Sequence, residues 1–184
     1  MLTKRARIFW FTGLSGSGKT TIANRVKGYL EKTNYSVLVL DGDSTRSARR
    51  VQLGFSEEDI KLNNRLIADL CQNSLESYDV ILVPIISPYA MSRKMARKQL
   101  GDSFFEVFFS TDLNTVVKRD VKGLYKKASR GEIENMIGFS AGAIYEKPDN
   151  PDYIVDTCEC PEEVTAKKFF HYIVNQVKNF SEGS

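Results

Sequence analysis

Eight consecutive residues near the start of the chain have the types and the spacing that bind a polyphosphate. They read Gly13-Leu14-Ser15-Gly16-Ser17-Gly18-Lys19-Thr20 and match the P-loop pattern G-x-x-x-x-G-K-[ST]. The glycines allow the backbone to bend where side chains would intrude, so several N–H groups can converge on the phosphates. The Lys19 ammonium can reach the β- and γ-phosphates of a nucleotide, and the Thr20 hydroxyl is left to ligate magnesium.

The context of the motif separates it from a glycine turn that merely joins a strand to a helix. An apolar strand precedes the loop, and a helix begins near Lys19, whose positive end and unpaired N–H groups favour an anion. Four specified positions and both flanking elements therefore agree on nucleotide binding. The expected phosphate-binding residues are Gly13, Ser15, Gly16, Ser17, Gly18, Lys19, Thr20 and Thr21.

The rest of the chain predicts an α/β fold with a parallel sheet. Short apolar runs alternate with helical patterns, as in sheets that helices cover on both faces. The predicted strands are 8–12, 37–40, 80–86, 104–109 and 153–155; the predicted helices are 21–32, 56–75, 89–100, 112–119 and 161–180, with a helical turn in 44–53. Asp41 and Asp43 follow the second strand at its carboxyl end, where such sheets bind ligands. The charged stretch 120–150 is long for a connection, so we interpret it as a lid.

The composition favours one globular domain over residues 1–184. The chain is 42% hydrophobic, has a formal net charge of +3, and contains no run of eighteen apolar residues that could form a spanning helix. The mild charge does not by itself indicate nucleic-acid binding. Cys71 is expected in the core, while Cys158 and Cys160 are too close for an ordinary disulfide, so a reducing cytoplasm fits best.

Longer motifs carry a family resemblance that extends from Phe11 to about Cys160. Besides the P-loop they are Leu40-Asp41-Gly42-Asp43, Gly54-Phe55-Ser56-Glu57-Glu58-Asp59, Ile86-Ser87-Pro88-Tyr89 and Arg119-Asp120-Val121-Lys122-Gly123-Leu124-Tyr125-Lys126-Lys127-Ala128. The chain resembles the adenylylsulfate kinases, which transfer the γ-phosphate of ATP to the 3′-hydroxyl of adenosine 5′-phosphosulfate. The resemblance implies a P-loop NTPase three-layer sandwich with a parallel sheet and a basic lid, and a homodimer.

The resemblance also implies roles for individual residues. Asp41 matches the aspartate beside the acceptor hydroxyl and Lys19 completes the catalytic pair, while Thr20 and Asp43 are implied as the magnesium site. Arg119 and Cys160 are implied on the adenine side of ATP. The implied acceptor-binding residues are Asp43, Arg46, Phe55, Asn63, Ile86, Ser87, Lys122, Asn135 and Met136.

Departures from the family pattern all lie on the acceptor side. Ser44 to Arg50 replaces the usual segment after the two aspartates, Ile60 replaces an arginine, Met136 replaces a phenylalanine, and the lid is about two residues longer around 140–144. Loss of a guanidinium removes a bidentate anion contact, and loss of a phenylalanine removes a rigid π-face. The donor reaction is therefore expected to follow the family, while the acceptor is either adenosine 5′-phosphosulfate or a related nucleotide such as cytidine 5′-diphosphoramidate.

Two alternatives of other classes stay open. A regulatory protein could keep the P-loop without turnover, although Asp41, Lys19 and Thr20 argue against a mere binder. Nucleic-acid binding would rest only on Arg46, Arg49, Arg50 and the lid lysines, with no aromatic and basic recognition motif beside them. We therefore expect an ATP-dependent phosphotransferase with an alcohol group as acceptor, neither nucleic-acid-bound nor membrane-bound.

Overall fold

Five short segments form a parallel sheet in the computed structural model, which describes residues 5–42 and 56–182. They are β1 (Arg7–Thr12), β2 (Val37–Val39), β3 (Val80–Val83), β4 (Phe104–Phe109) and β5 (Tyr153–Val155). The strand order is β2-β3-β1-β4-β5, and each neighbouring pair is parallel. The central strand β1 is buried along its whole length, which explains why its four middle residues, 8–11, are an unbroken apolar run.

Helices cover both faces of this sheet. They are α1 (Lys19–Lys32), α2 (Glu57–Ser74), α3 (Ala90–Leu100), α4 (Leu113–Arg119), α5 (Leu124–Ser129) and α6 (Glu162–Glu182). Successive β1 side chains point to opposite faces, so Phe9 and Phe11 pack with α1 and α6, while Ile8 and Trp10 pack with α2 and α3. The predicted three-layer α/β architecture with a parallel sheet is confirmed.

The element boundaries follow local chemistry. The third strand ends at Val83 rather than at residue 86, because Pro84 has no N–H to donate to a ladder. Helix α2 begins as predicted: the Ser56 hydroxyl accepts the N–H of Asp59, and three acidic residues occupy the first turn. Cys71 is fully buried in this helix, and its burial raises the pKa of the thiol to about 12. The predicted helical turn in 44–53 lies outside the described residues.

The stretch 120–150 contains ordered local structure. The Asp120 carboxylate accepts the N–H groups of Tyr125 and Lys126 and so caps α5. Residues 136–144 then form a compact turn, here called the lid turn, in which the Gly138 N–H donates to the Ala143 carbonyl at 2.7 Å. Among the described residues, no helix is both long enough and apolar enough to cross a bilayer.

Candidate active site

The P-loop lies between β1 and α1, at the carboxyl end of the sheet. Gly13 has a φ of +153°, and a Cβ at this position would lie 2.8 Å from the Cβ of Phe109, so the loop passes too close to β4 for any side chain. Helix α1 begins at Lys19, which directs its unpaired N–H groups toward the loop. This backbone is a concave set of donors suited to a phosphate.

The Lys19 side chain is buried inside the P-loop. Its ammonium donates to the carbonyls of Gly13 (2.9 Å) and Leu14 (2.7 Å) and to the Ser17 hydroxyl at 3.2 Å. The pKa of this ammonium is lowered to about 7, chiefly by burial and also by the positive charge of Lys122, while the carboxylate of Asp41 opposes both effects. The structure thus brings two lysines that the sequence predicts for the site within electrostatic range of one another.

Thr20 and Asp41 form an oxygen pair beside this lysine. The Thr20 hydroxyl donates to Oδ2 of Asp41 at 3.1 Å, so the first turn of α1 meets the segment that follows β2. Magnesium takes one or two carboxylate or hydroxyl oxygens from the protein and completes its shell with water and phosphate oxygens. The donor set therefore fits magnesium. Asp43, which the resemblance implies as the second metal ligand, lies outside the described residues, as do Arg46 and Phe55.

Arg119 is tied to the P-loop through Thr157. Its guanidinium donates to the hydroxyl and to the carbonyl of Thr157, both at 2.9 Å, and the Thr157 hydroxyl reaches the Ser17 carbonyl at 3.3 Å. Thr111 joins the same network, 2.9 Å from the Thr157 hydroxyl. Sequence reasoning missed both threonines; the only signal is that each follows a predicted strand at its carboxyl end.

The two cysteines after β5 have different neighbours. The Sγ of Cys158 lies 3.9 Å from the Arg119 guanidinium. The Sγ of Cys160, the residue implied beside the adenine, accepts a contact from the Lys168 ammonium at 3.6 Å. Both thiols are free, as is that of Cys71. The adenine-side role of Cys160 stays a prediction.

The loop 84–88 brings Ile86 and Ser87 next to the P-loop. The Ile86 carbonyl accepts the Gly13 N–H at 3.2 Å, which joins the two loops directly. Ser87 is buried with a φ of +42°, unusual for a residue other than glycine. Its hydroxyl accepts the indole N–H of Trp10 at 2.9 Å, and its carbonyl accepts the Thr12 hydroxyl at 3.0 Å. Several independent bonds therefore hold this predicted acceptor contact in a strained conformation.

An apolar cluster lies between α2 and the lid turn. Ile60, Ile137 and Ala143 are buried together, here called the Ile60 cluster, with Ile86, Tyr89 and Tyr145 packed against them. Asn63, one helical turn beyond Ile60, is 5% exposed. The position at which the family has an arginine is therefore occupied by an aliphatic side chain with aliphatic neighbours.

The residues of the stretch 120–150 that the resemblance implies as acceptor contacts differ in burial. Met136 is buried with Leu14 of the P-loop, with Val116 of α4 and with Tyr125, so its side chain packs toward the P-loop and α4 rather than within the Ile60 cluster. Asn135 is exposed with a φ of +58°, and Lys122 is exposed. A cleft of about 380 Å³ opens between Leu14 and the lid turn, within the range of small-molecule sites.

The three-layer sandwich with its parallel sheet, the P-loop with its buried lysine, and the Thr20 and Asp41 pair beside that lysine are the parts of a P-loop kinase. Comparison with known proteins narrows this class. The family model described as adenylylsulphate kinase matches residues 5–156. The chain belongs to the adenylylsulphate kinase family.

Individual relatives agree over nearly the whole chain. The adenylyl-sulfate kinase of Bacillus pumilus is 39% identical over 175 residues, which covers 95% of this chain and 88% of the relative. The adenylyl-sulfate kinase of Bacteroides thetaiotaomicron is 40% identical over 179 residues, covering 97% and 88%. The Mycobacterium tuberculosis APS kinase, solved in complex with AMPPNP and APS, has a TM-score of 0.84 at 36% identity and covers 95% of this chain and 98% of that one.

Proposed function

We propose that this chain transfers the γ-phosphate of ATP to the 3′-hydroxyl of adenosine 5′-phosphosulfate, forming 3′-phosphoadenosine 5′-phosphosulfate. One observation carries the proposal: Lys19, Thr20 and Asp41 converge at a P-loop in a chain of the adenylylsulphate kinase family. A nucleotide-binding regulator would need the loop but not a carboxylate beside it, so this grouping favours catalysis.

The donor side works by positioning and by charge. The P-loop N–H groups and the helix end of α1 receive the phosphates of ATP, and the Lys19 ammonium neutralises charge that develops on the transferring group. Thr20 and, by resemblance, Asp43 would hold magnesium, with Asp41 next to Thr20; the ion would supply electrostatic stabilisation of the phosphate oxygens. Arg119, fixed by Thr157, would lie against the adenine together with Cys160.

The acceptor side orients the hydroxyl and excludes water. Asp41 would orient the 3′-hydroxyl and take its proton as the new phosphoester bond forms. The resemblance implies that Asp43 also contacts the acceptor. The remaining acceptor contacts are assigned by resemblance to Arg46, Phe55, Asn63, Ile86, Ser87, Lys122, Asn135 and Met136. The lid over residues 120–150 would cover the reacting groups, as lids do in other kinases.

A second candidate acceptor is cytidine 5′-diphosphoramidate. The Ile60 cluster keeps it open, because an isoleucine buried between Ile137 and Ala143 cannot make the contact that the resemblance implies for an arginine at this position. A pyrimidine nucleotide also needs less aromatic surface than adenosine 5′-phosphosulfate. The chemistry of transfer would be the same for both acceptors.

An acceptor screen tests these assignments. Purified protein is given ATP and magnesium with adenosine 5′-phosphosulfate, cytidine 5′-diphosphoramidate, or uridine and cytidine 5′-diphosphates, and ADP and the phosphorylated product are measured. We expect adenosine 5′-phosphosulfate to give the highest kcat/KM, and Lys19→Met to abolish transfer to every acceptor. A higher kcat/KM for the cytidine compound would select the second candidate; ATP binding without transfer to any acceptor would favour the regulator.

Ile60→Arg separates the two acceptors further. If the family arginine contact is missing, the substitution raises kcat/KM for adenosine 5′-phosphosulfate by about tenfold or more, since a charged hydrogen bond contributes about 1.5–3 kcal/mol. A wild-type enzyme of family-like efficiency that Ile60→Arg does not improve would remove the altered-acceptor idea. Ile60→Leu is the matched control, because it changes shape without adding charge.

The remaining assignments concern the whole protein. We propose a single catalytic domain over residues 1–184 that acts as a homodimer, as the family resemblance implies. The three free thiols support a reducing cytoplasmic location. Light scattering of the purified protein measures the oligomeric state, and a monomeric mass would contradict the dimer.

A further inference from the structure

Arg93 in helix α3 connects three separate segments behind the acceptor side of the site. Its side chain is 3% exposed. The guanidinium donates to Oε1 of Glu106 on β4 at 2.5 Å, to the carbonyl of Ser87 at 2.8 Å and to the carbonyl of Glu146 at 2.8 Å. A buried arginine is retained where its charge is paired and its donors are satisfied, and all three contacts here are of that kind.

The Ser87 carbonyl is the first of the two backbone groups that Arg93 holds. The loop 84–88 leaves β3, and Ser87 takes its left-handed conformation there. The indole N–H of Trp10 donates to the Ser87 hydroxyl, and the Ser87 carbonyl accepts from both the Thr12 hydroxyl and the Arg93 guanidinium. A strained peptide keeps its conformation only while its surroundings hold it, so loss of the guanidinium would remove one of the bonds that hold the Ser87 peptide in place.

The Glu146 carbonyl is the second group, and it marks the return of the lid to the body of the protein. The Glu146 N–H donates to the Pro88 carbonyl at 2.9 Å, and the Glu146 carboxylate accepts the Ala90 N–H at 2.5 Å. Arg93 therefore fastens the end of the lid and the loop 84–88 to one another through a single planar group. A lysine could pair with Glu106 but lacks the rigid fork that reaches two further carbonyls.

We propose that Arg93 is a positioning residue for the acceptor, holding the Ser87 peptide and the end of the lid in register so that the acceptor meets preformed contacts. The inference rests on the proposed function, since it takes Ser87 as an acceptor contact. It assigns Arg93 no contact with ATP: Lys19, Thr20 and Arg119 are supported by other bonds.

Arg93→Lys tests the inference, with Arg97→Lys as the matched control. Arg97 lies one helical turn further along α3 and pairs with the same Glu106 carboxylate, but its other partner is Asp152. Each variant keeps a positive charge and loses a guanidinium. Steady-state KM values for ATP and for adenosine 5′-phosphosulfate are measured separately, together with the unfolding midpoint.

We expect Arg93→Lys to raise the KM for the acceptor about ten- to a hundredfold, as expected for lost charged hydrogen bonds, with the KM for ATP within about twofold of wild type. Arg97→Lys should leave both values near wild type. Equal changes in the two KM values, or no change in a folded Arg93→Lys variant, would overturn the inference and leave Arg93 a stability residue.

A second variant covers the case in which Arg93→Lys does not fold. Arg93→Gln combined with Glu106→Gln removes both buried charges, so no unpaired charge is left, yet the fork onto the two carbonyls is still lost. The same selective rise in acceptor KM is expected, and its absence overturns the inference. If the proposed function is wrong, wild type itself will not phosphorylate adenosine 5′-phosphosulfate. The Arg93 variants are then compared with wild type on the acceptor that the screen selects.

Discussion

Replacing Gly138 by alanine should force the lid turn away from the P-loop. Gly138 has a φ of +76°, and a Cβ there would lie 2.4 Å from Cδ2 of Leu14 and 3.5 Å from the Cβ of Tyr145. Leu14 is itself 9% exposed and packs against Val116 and Met136. Cδ2 is the end of a flexible side chain that also lines the cleft, so rotation of the leucine relieves part of the overlap and a shift of the lid turn must relieve the rest.

The free energy of unfolding that Gly138→Ala is expected to lose has two parts. An L-residue in the left-handed region costs about 1–2 kcal/mol, and overpacking a filled contact costs about 1–3 kcal/mol more. The same lid turn contains its own control: Gly142 has a φ of +81°, and a Cβ there would meet no atom within 4 Å. Gly142→Ala should therefore show only the first part, and Gly138→Ala should lose about 1–3 kcal/mol more free energy of unfolding.

Urea unfolding of both variants measures this difference. A double-mutant cycle of Gly138→Ala with Leu14→Ala then isolates the overlap, because trimming the leucine removes the atom that the new methyl group meets. We expect a favourable coupling of about 1–3 kcal/mol in that cycle. Equal destabilisation by Gly138→Ala and Gly142→Ala, together with zero coupling to Leu14, would refute the contact between the lid turn and the P-loop.

Three further predictions concern the donor side and the reaction. Asp41→Asn should lower kcat roughly 10²-fold or more with ATP binding largely retained; equal loss of ATP affinity would assign Asp41 to magnesium alone. Thr157→Val should raise the KM for ATP about tenfold while Thr157→Ser stays near wild type, because of the two Thr157 groups that Arg119 contacts the hydroxyl is the one that also bonds to the P-loop; indistinguishable valine and serine variants would contradict this. The third prediction compares the free energy of unfolding of wild type and Lys19→Met as a function of pH. Above pH 7, the value for wild type should rise by roughly 1 kcal/mol per pH unit relative to the variant. The reason is that the unfolded lysine still binds a proton that the folded lysine, with its pKa near 7, has lost. Below about pH 6 the two curves should run parallel, and parallel curves up to pH 9 would contradict the lowered pKa.

The sheet and the phosphate site could be predicted because their signals are local. The P-loop is a contiguous run of residues, and the apolar strands and capped helices are continuous segments whose periodicity indicates their faces. Even the start of α2 at Ser56 follows from four neighbouring residues. The predicted third strand runs three residues too far because Ile85 and Ile86 continue the apolar run, although Pro84 already marks its end.

The support of the site could not be predicted, since it depends on contacts between distant segments. Thr157 reaches Ser17 across 140 residues, and Arg93 reaches Glu146 across 53. A threonine after a strand and an arginine in a helix carry no sequence signal for such roles. Met136 is a further example. Its position in the family motif implies a contact with the acceptor, whereas its side chain packs against Leu14.

Three consecutive residues, Thr12, Gly13 and Leu14, connect the donor and acceptor sides. The Thr12 hydroxyl and the Gly13 N–H bond to the loop 84–88, and Leu14 supports the lid turn through Gly138. The same short segment leads into the turn around Lys19. Because a closely packed interior transmits small shifts, we expect movement of the lid turn to be felt at the phosphate site. Arg93 meets the same segment at the Ser87 carbonyl, to which the Thr12 hydroxyl also donates. Replacement of Arg93 should therefore be felt first at the loop 84–88 and at the end of the proposed lid, and only through Thr12 at the P-loop.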